Sequence, residues 1–182
     1  ELDSLVETSH ANSKGSSKLA TGNAANNVDL YQVNCSFYDA LGQNDQQYLL
    51  ARAIQLFCPG ISQIYYAGLL AMPNDVELLQ QSRVGRDIGR PYLNAEKVAD
   101  ALQKPVVQAL CGLITLRRSL QAFNGDFSQT LHNGSYQLHW QHQGHTAALV
   151  IDLASLEATM HWQHAGQATE SLALSNLYRS VN

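Results

Sequence analysis

The sequence is poor in charged residues, cysteines and long apolar runs, and each shortage argues against a class of protein. Charged residues make up 14% of the 182 residues and the net charge is −4, so no basic surface is expected for a nucleic acid. No run of about 18 apolar residues occurs, so no membrane-spanning helix is expected. The three cysteines form no CxxC pair, which favours reduced, buried thiols in a cytoplasmic protein over disulfides or a zinc site.

Several catalytic motifs are also missing. The chain has no glycine-rich phosphate loop and no G-x-S-x-G motif, which argues against a nucleotide-binding loop and against a serine hydrolase. Its start, Glu1-Leu2-Asp3-Ser4, has neither an initiator methionine nor a signal sequence. We therefore interpret the chain as a trimmed protein or as the tail of a longer one.

The first two thirds of the chain predict helices around one strand. Apolar residues at helical spacing predict a helix over 44–57, which a Pro-Gly pair ends. The nearly continuous apolar run at 61–70 is typical of a strand covered on both faces. Two more helices are predicted to begin at Ala95 and at Pro105, since proline suits the first turn of a helix.

Two long polar connections flank the predicted strand. Residues 1–43 are expected to form a loop with one short helix near the start, and within it 28–38 fits a short strand or an extended segment equally well. The second connection, 68–94, is expected to contain a short helix near Val76. Ordered loops of this length are usually functional, so both are candidate site segments.

From residue 124 onward, short β-type runs alternate with turn signals. These are Asn-Gly at 133–134, Gln-Gly at 143–144 and Ala-Gly at 165–166, and Asn-Gly is the strongest short hairpin signal. We therefore expect an antiparallel all-β domain over 124–182, distinct from the α/β segment 1–123.

The β-domain repeats the pattern His-Trp-Gln-His, at 139–142 and at 161–164. Its histidines suggest a metal site, but strand positions three apart point to opposite faces, so polar strand-face residues are favoured and no metal is expected. Trp140 and Trp162 fit either core positions or flat platforms for sugar rings, and the core role is favoured. The platform role supplies an alternative function, a sugar-binding module without catalysis.

Several long motifs in residues 1 to about 125 resemble one enzyme family. They are NVDLYQVNCSFYDALG at 27–42, YLLARAIQLF at 48–57, PGISQIYY at 59–66, GLLA at 68–71, VGRDI at 84–88, KPVV at 104–107 and FNG at 123–125. Together they resemble the sucrose phosphorylases, glycoside phosphorylases of the α-amylase superfamily.

The resemblance implies an α/β fold, the C-terminal part of a (β/α)8 TIM barrel followed by a small antiparallel all-β domain. Residues 61–67 would be the eighth barrel strand, with helices at 44–57 before it and at 95–121 after it. A whole barrel needs about 250 residues, and a lone parallel strand leaves its backbone groups unpaired. The chain is therefore expected to be a fragment whose partner is the remainder of the same enzyme.

The resemblance also implies a retaining phosphorylase, which converts sucrose and phosphate to α-D-glucose 1-phosphate and fructose by double displacement. The family's catalytic carboxylates would lie upstream of Glu1, so no catalytic residue is assigned and the chain alone is expected to be inactive. No cofactor or metal is implied. The partners are sucrose or a related glucoside and inorganic phosphate, and a homodimer stays open as the assembly.

Four substrate-binding residues follow from the family's motifs. Asp29, Tyr31 and Gln32 match an acceptor-site loop that faces fructose in one step and phosphate in the other. Arg86 matches the arginine that holds the glucose ring together with an upstream aspartate. Without the resemblance, Arg86 would be interpreted as a surface ion-pair partner of Asp87.

The chain departs from the family pattern just after this arginine. The family usually continues Asn-Arg-His-Tyr, whereas this sequence reads Gly89-Arg90-Pro91-Tyr92. Close relatives use glucosylglycerol, glucosylglycerate or sucrose 6′-phosphate, so the sequence leaves the acceptor open. A hydrolase or transglucosidase of the same barrel is a further alternative, for which phosphate would not be needed.

Overall fold

The computed structural model describes residues 1–20 and 33–179, and these form two compact units. The first unit comprises Glu1–Tyr48 and Ile64–Val107, and the second comprises Leu49–Gln63 and Gln108–Asn182. The domain boundary expected between residues 123 and 124 stays a prediction. No helix of the described ranges is both long and apolar enough to cross a lipid bilayer.

The described part of the first unit is helical. It contains α1 Leu2–Asn12, α2 Ser16–Leu19, α3 Phe37–Ala40, α5 Tyr66–Leu69, α6 Val76–Ser82, α7 Ala95–Leu102 and a 3₁₀ helix at Gly85–Gly89. Two longer helices, α4 Asp45–Phe57 and α8 Pro105–Ser119, contain residues of both units.

Helices α1 and α2 occupy residues expected to be mostly loop. The Nδ1 atom of His10 lies 2.6 Å from the Ser17 hydroxyl, and the hydroxyls of Ser13 and Ser17 lie 2.8 Å apart, all buried. Each buried polar group therefore has a partner. The loop prediction is wrong for residues 1–20, because these helices bury hydrogen-bonded polar side chains and so lack the apolar stripe that marks a helix in sequence.

The strand predicted at 61–67 does not form in this chain. Residues 61–65 have no regular structure, Ile61 is 98% exposed, and α5 begins at Tyr66. A parallel strand needs neighbouring strands for its main-chain hydrogen bonds, and the sheet in the described residues does not include this segment. The TIM barrel is therefore an expectation for a longer protein and is not seen here.

The other predicted helices are confirmed. The helix predicted over 44–57 is α4, where Leu49, Ala53 and Phe57 are buried along one side, as the helical period requires. The helices predicted from Ala95 and from Pro105 are α7 and α8.

The second unit contains a five-stranded antiparallel sheet in the order β1-β2-β3-β4-β5. The strands are β1 Asp126–His132, β2 Ser135–His142, β3 His145–Asp152, β4 Ala158–Gln163 and β5 Glu170–Ala173, followed by α9 Leu174–Arg179. Both residues of the 133–134 turn have positive φ (48° and 77°), as do both of the 143–144 turn (45° and 82°). This is the backbone of tight hairpins, and the antiparallel all-β part of the fold prediction is confirmed.

The repeated His-Trp motif lies on β2 and β4, on either side of β3. Trp140 is only 7% exposed, its indole Nε1 donates a 2.7 Å hydrogen bond to the carbonyl of Phe57, and its ring packs against Phe127 at 5.1 Å. Trp140 is therefore a core residue. The register places half-buried Trp162 on the same face, while His139 and His161 share the opposite face. Among residues 1–20 and 33–179, no three histidine, cysteine or carboxylate side chains could hold a metal ion.

Candidate functional site

A cleft of about 240 Å³ in the first unit brings Arg86 together with residues from two other parts of the sequence. Its lining residues are Val33, Asn34, Cys35, Tyr65, Arg86, Gly89 and Arg90. Two guanidinium groups line the cleft, and none of the lining residues that the structure describes is acidic. Such a surface suits a ligand rich in hydroxyl groups or a ligand with negative charge.

The 3₁₀ helix Gly85–Gly89 positions Arg86 at this cleft. Ile88 is fully buried in a cluster with Ala20 and Leu79, and its carbonyl accepts a 2.7 Å hydrogen bond from the amide of Asp75. Because Ile88 is buried in this cluster, the opposite side of the short helix, which contains Arg86, is exposed. No ion pair joins Arg86 to Asp87 in the part of the chain that the structure describes, so Arg86 has its donors available for a ligand.

Asn34 lies two positions after residues 21–32, the segment that contains the other predicted site residues. Asp29, Tyr31 and Gln32 lie outside the described residues, as does the whole of 21–32. The side-chain Nδ2 of Asn34 donates a 3.0 Å hydrogen bond to the carbonyl of Ala20, and both residues are buried. The stretches before and after 21–32 therefore meet beside the cleft that contains Arg86.

A partly buried hydrogen-bond network fixes Cys35 and Ser36 next to this cleft. The Oδ1 atom of Asn74 accepts a 2.6 Å hydrogen bond from the main-chain N–H of Ser36. The main-chain N–H of Asn74 donates to Asp39 Oδ2, also at 2.6 Å. Asn74 Nδ2 donates to the hydroxyl of Ser16 at 2.8 Å. One asparagine thus ties three distant segments together, which makes the cleft wall rigid.

Cys35 lies in the wall of the cleft as an unreactive thiol. Burial raises its pKa, the hydrogen bond from Asn74 Nδ2 to Sγ at 3.4 Å opposes this, and the negative charge of Asp39 raises the pKa further. The thiol is therefore protonated near neutral pH, and a protonated thiol is a poor nucleophile. Cys35 contributes shape to the cleft and no covalent chemistry.

Tyr65 and Tyr66 give the cleft an aromatic side. Tyr65 is 52% exposed and lines the cleft, with its ring centroid 4.5 Å from that of Tyr66. The hydroxyl of Tyr66 donates a 3.0 Å hydrogen bond to the carbonyl of buried Pro91, and burial is the main cause of its raised pKa. Tyr66 therefore supports Tyr65, whose exposed ring can cover the apolar face of a sugar.

Neither the backbone conformation nor the neighbouring atoms require a glycine at position 89. A Cβ atom added there would lie 3.7 Å from the carbonyl oxygen of Cys35, which is an ordinary contact. The backbone therefore leaves room for a Cβ at this position, which lines the cleft. Gly89 therefore leaves the cleft wall without a side chain at this point.

A larger cleft of about 490 Å³ lies elsewhere in the first unit. It mixes basic with acidic side chains, including Lys97 and Lys104 beside Asp75 and Asp100, and it contains none of the predicted site residues. Its mixed charge selects no class of ligand, so we regard the smaller cleft as the candidate site.

The sequence prediction missed Asn34, Cys35, Tyr65 and Arg90 as cleft residues. All four lie within or beside the motifs that carry the family resemblance, and Asn34, Cys35 and Arg90 also lie in the two long connections expected to be functional. Their spacing along the chain gives no indication that they meet, because residues 34 and 65 or 65 and 86 converge only through folding.

Comparison with known proteins identifies the family of the chain. No family model matches it. It is 50% identical over 160 residues to a sucrose phosphorylase of Agrobacterium vitis, covering 87% of the chain and 33% of that protein. It is 49% identical over 125 residues to a glucosylglycerol phosphorylase of Marinobacter adhaerens, covering 68% of the chain and 26% of that protein.

A solved structure gives the same result. A sucrose 6F-phosphate phosphorylase from Thermoanaerobacter thermosaccharolyticum matches with a TM-score of 0.80 at 31% identity, over 94% of the chain and 34% of that protein. The chain spans about a third of the length of the curated relatives it matches, and the matched region is their C-terminal part. The chain is a homologue of the C-terminal part of the sucrose phosphorylases and related glycoside phosphorylases.

Proposed function

We propose that the protein containing this chain is a retaining glycoside phosphorylase that converts sucrose and phosphate to α-D-glucose 1-phosphate and fructose. The observation that carries the proposal is the cleft with Arg86 and Arg90, in a chain half identical to a sucrose phosphorylase. Phosphate is an anion, and the two guanidinium groups among the described lining residues attract an anion.

In this proposal the chain supplies binding groups and no catalytic residue. Arg86 donates its planar fork of hydrogen bonds to glucose hydroxyls, and the exposed ring of Tyr65 covers the sugar. Asp29, Tyr31 and Gln32 bind the acceptor, which is fructose in one step and phosphate in the other. Ala20 and Asn34, which flank the segment that contains them, are hydrogen-bonded to each other beside the cleft, and this supports the role.

The chemistry is two displacements at the anomeric carbon. A carboxylate from the remainder of the enzyme attacks and forms a glucosyl-enzyme while a second carboxyl protonates fructose. Phosphate then attacks this intermediate, which restores the configuration and releases glucose 1-phosphate. Both carboxylates lie outside this chain, so the chain alone is inactive. No cofactor is needed, since phosphate is itself a substrate.

We also propose that the enzyme works in the cytoplasm. All three cysteines, Cys35, Cys58 and Cys111, are free and half-buried. Unpaired thiols persist in a reducing compartment, which supports this location.

The full-length protein is tested for release of glucose 1-phosphate from sucrose, with and without phosphate. We expect product only with phosphate. Release of free glucose at the same rate without phosphate would overturn the proposal in favour of a hydrolase or transglucosidase.

A second candidate function is phosphorolysis of a related glucoside, such as glucosylglycerol, glucosylglycerate or sucrose 6′-phosphate. The observation that favours it is Gly89, which leaves space in the cleft where the family usually has asparagine. The same assay with each glucoside distinguishes the two. Phosphate-dependent release from one of these, with none from sucrose, would establish this alternative.

The sugar-binding module has less support. It needs exposed tryptophans as platforms, and Trp140 is buried with its indole hydrogen-bonded. Calorimetric titration of sucrose into the 182-residue chain tests it, and we expect no heat of binding that depends on Trp162.

A further inference from the structure

The second unit contains the pair Asn-Gly twice, at 124–125 and at 133–134. In such a pair, the main-chain nitrogen of the glycine can attack the side-chain amide carbon of the asparagine, because glycine has no Cβ to obstruct the approach. The attack also needs a peptide nitrogen that is free to turn toward that side chain. Whether each pair reacts therefore depends on how the fold holds its glycine.

Gly134 lies in an open hairpin turn. Asn133 and Gly134 are both exposed, and a Cβ atom added to Gly134 would meet no other atom within 4 Å. The flanking residues His132 and Ser135 pair with each other across the turn. Among the described residues, the N–H of Gly134 donates to no main-chain carbonyl and the side chain of Asn133 makes no hydrogen bond. Both reacting groups of this pair are therefore free.

Gly125 is held in place, although its sequence pair is the same. Its N–H donates a 3.2 Å hydrogen bond to the carbonyl of Ala122. A Cβ atom added to Gly125 would overlap the carbonyl oxygen of Gln141 and lie 2.7 Å from the Cβ of His142, so strand β2 packs directly on this glycine. The nitrogen of Gly125 therefore cannot turn toward Asn124 without breaking its hydrogen bond and moving β2.

We propose that Asn133 is a site of spontaneous deamidation, from which the fold protects Asn124. The nitrogen of Gly134 loses its proton and forms a bond to the side-chain carbonyl carbon of Asn133, and ammonia leaves, which gives a cyclic succinimide. Water then opens the ring at either carbonyl and yields isoaspartate or aspartate. The net reaction consumes one water and releases one ammonia. Nothing is oxidised or reduced, and the reaction needs no cofactor.

The modification weakens the contact between this turn and the connection after β3. The carbonyl of Gly134 accepts a 2.9 Å hydrogen bond from the main-chain N–H of Leu153. The neighbouring Asp152 is ionised near neutral pH, since a hydrogen bond from the main-chain N–H of Ser155 is the main cause of its lowered pKa. Isoaspartate adds a methylene to the backbone of a two-residue turn and brings a second negative charge to this end of the sheet. Both changes disfavour the hydrogen bond from Leu153, because the turn geometry changes and like charges repel.

Peptide mapping by mass spectrometry measures the two sites separately in one sample. The full-length protein is kept folded in mildly alkaline buffer, which favours the deprotonated glycine nitrogen. Isoaspartate is identified by methylation with an isoaspartate O-methyltransferase and labelled S-adenosylmethionine. We expect modification at 133 to be at least about tenfold faster than at 124, since the nitrogen of Gly125 is free only in locally opened molecules. In denaturant, where both glycines are free, the two rates are expected to become similar.

Equal rates at the two sites in the folded protein would overturn the proposal. So would the absence of isoaspartate at 133 by the time a denatured sample has reacted fully.

Asn133→Gly is the second variant, because Gly-Gly also forms a two-residue hairpin turn and has no side-chain amide. We expect the label in this turn to disappear. Hydrogen exchange of the Leu153 amide is expected to become faster as the unmutated protein ages and to stay constant in Asn133→Gly. The same increase in both proteins would contradict the proposed effect on the turn. No readout is enzymatic, so the result does not depend on the proposed activity.

Discussion

The side-chain amide of Asn34 donates a hydrogen bond of 3.0 Å to the main-chain carbonyl of Ala20. Ala20 immediately precedes residues 21–32, which contain three of the four predicted substrate-binding residues, and Asn34 stands two positions after them. The described residues on either side of this segment thus meet beside the cleft with Arg86. One hydrogen bond therefore links the sequence prediction to the observed cleft.

Asn34→Ala is predicted to weaken acceptor binding in the full-length enzyme. The change leaves the buried carbonyl of Ala20 without its partner, a loss of about 1–3 kcal/mol, and releases one end of the acceptor segment. We expect the KM for phosphate to rise about five- to tenfold with a smaller change in kcat, since a loss of about 1 kcal/mol corresponds to roughly fivefold. Steady-state kinetics at varied phosphate concentration measures this.

Asn12→Ala is the matched control for that prediction. Asn12 also donates its Nδ2 to a main-chain carbonyl, that of Ala40, at 2.8 Å, but it does not line the cleft. We expect Asn12→Ala to lower thermal stability by a similar amount and to leave the KM for phosphate unchanged. An equal rise in KM for both variants would mean that the effect of Asn34 is general destabilisation.

Arg86→Lys is predicted to lower kcat/KM for the glucoside by about ten- to hundredfold. Lysine keeps the charge and loses the planar fork, and hydrogen bonds to charged groups contribute about 1.5–3 kcal/mol. Arg83→Ala serves as control, because Arg83 is an exposed residue at the end of α6 and does not line the cleft. Unchanged kinetics for Arg86→Lys would remove Arg86 from the site.

Gly89→Asn is predicted to keep the fold and shift the choice of substrate. The added Cβ makes only an ordinary contact, 3.7 Å from Cys35 O, so the melting temperature is expected to stay the same. The side chain fills space beside Arg86 and restores the residue usual in the family. We expect the ratio of kcat/KM for sucrose to that for glucosylglycerol to rise, and an unchanged ratio would exclude Gly89 from acceptor choice.

The raised pKa of Cys35 predicts a distinctive pH dependence. Its alkylation by iodoacetamide, followed by peptide mapping, is expected to be slow near neutral pH and to keep rising above pH ~10, where a free thiol with a pKa near 8.5 has levelled off. Because burial raises the folded-state pKa, the thiol favours the folded state fully below its ordinary pKa. That contribution is lost as the pH rises through the folded value. A profile that levels off like free glutathione would contradict this.

Trp140→Phe is predicted to destabilise the second unit by about 1–3 kcal/mol, because it leaves the carbonyl of Phe57 without a donor in a buried place. Trp162→Phe is the control, since Trp162 is half-buried and its indole makes no hydrogen bond to a residue that the structure describes. Hydrogen exchange of the β2 and β3 amides measures both. We expect faster exchange in Trp140→Phe, and equal effects would contradict the assigned role.

The sequence by itself determined the features that depend on local interactions. Helices α4, α7 and α8 follow from apolar spacing and from the tolerance of Pro105 in a first helical turn. The two tight hairpins follow from glycine at positions 134 and 144, where φ is positive. Long shared motifs also determined the family, since sequence identity to relatives can be measured without knowing which residues are in contact.

Only the tertiary structure decided what depends on residues distant in sequence. The apolar run at 61–67 has the composition of a strand, but a strand exists only when a neighbouring strand pairs with it, and no strand in the described residues does. The helices in residues 1–20 are stabilised by buried pairs such as His10 with Ser17, which no periodicity reveals. The convergence of Asn34, Tyr65 and Arg86 in one cleft is likewise a product of folding, because cleft residues are selected by proximity in space and not along the chain.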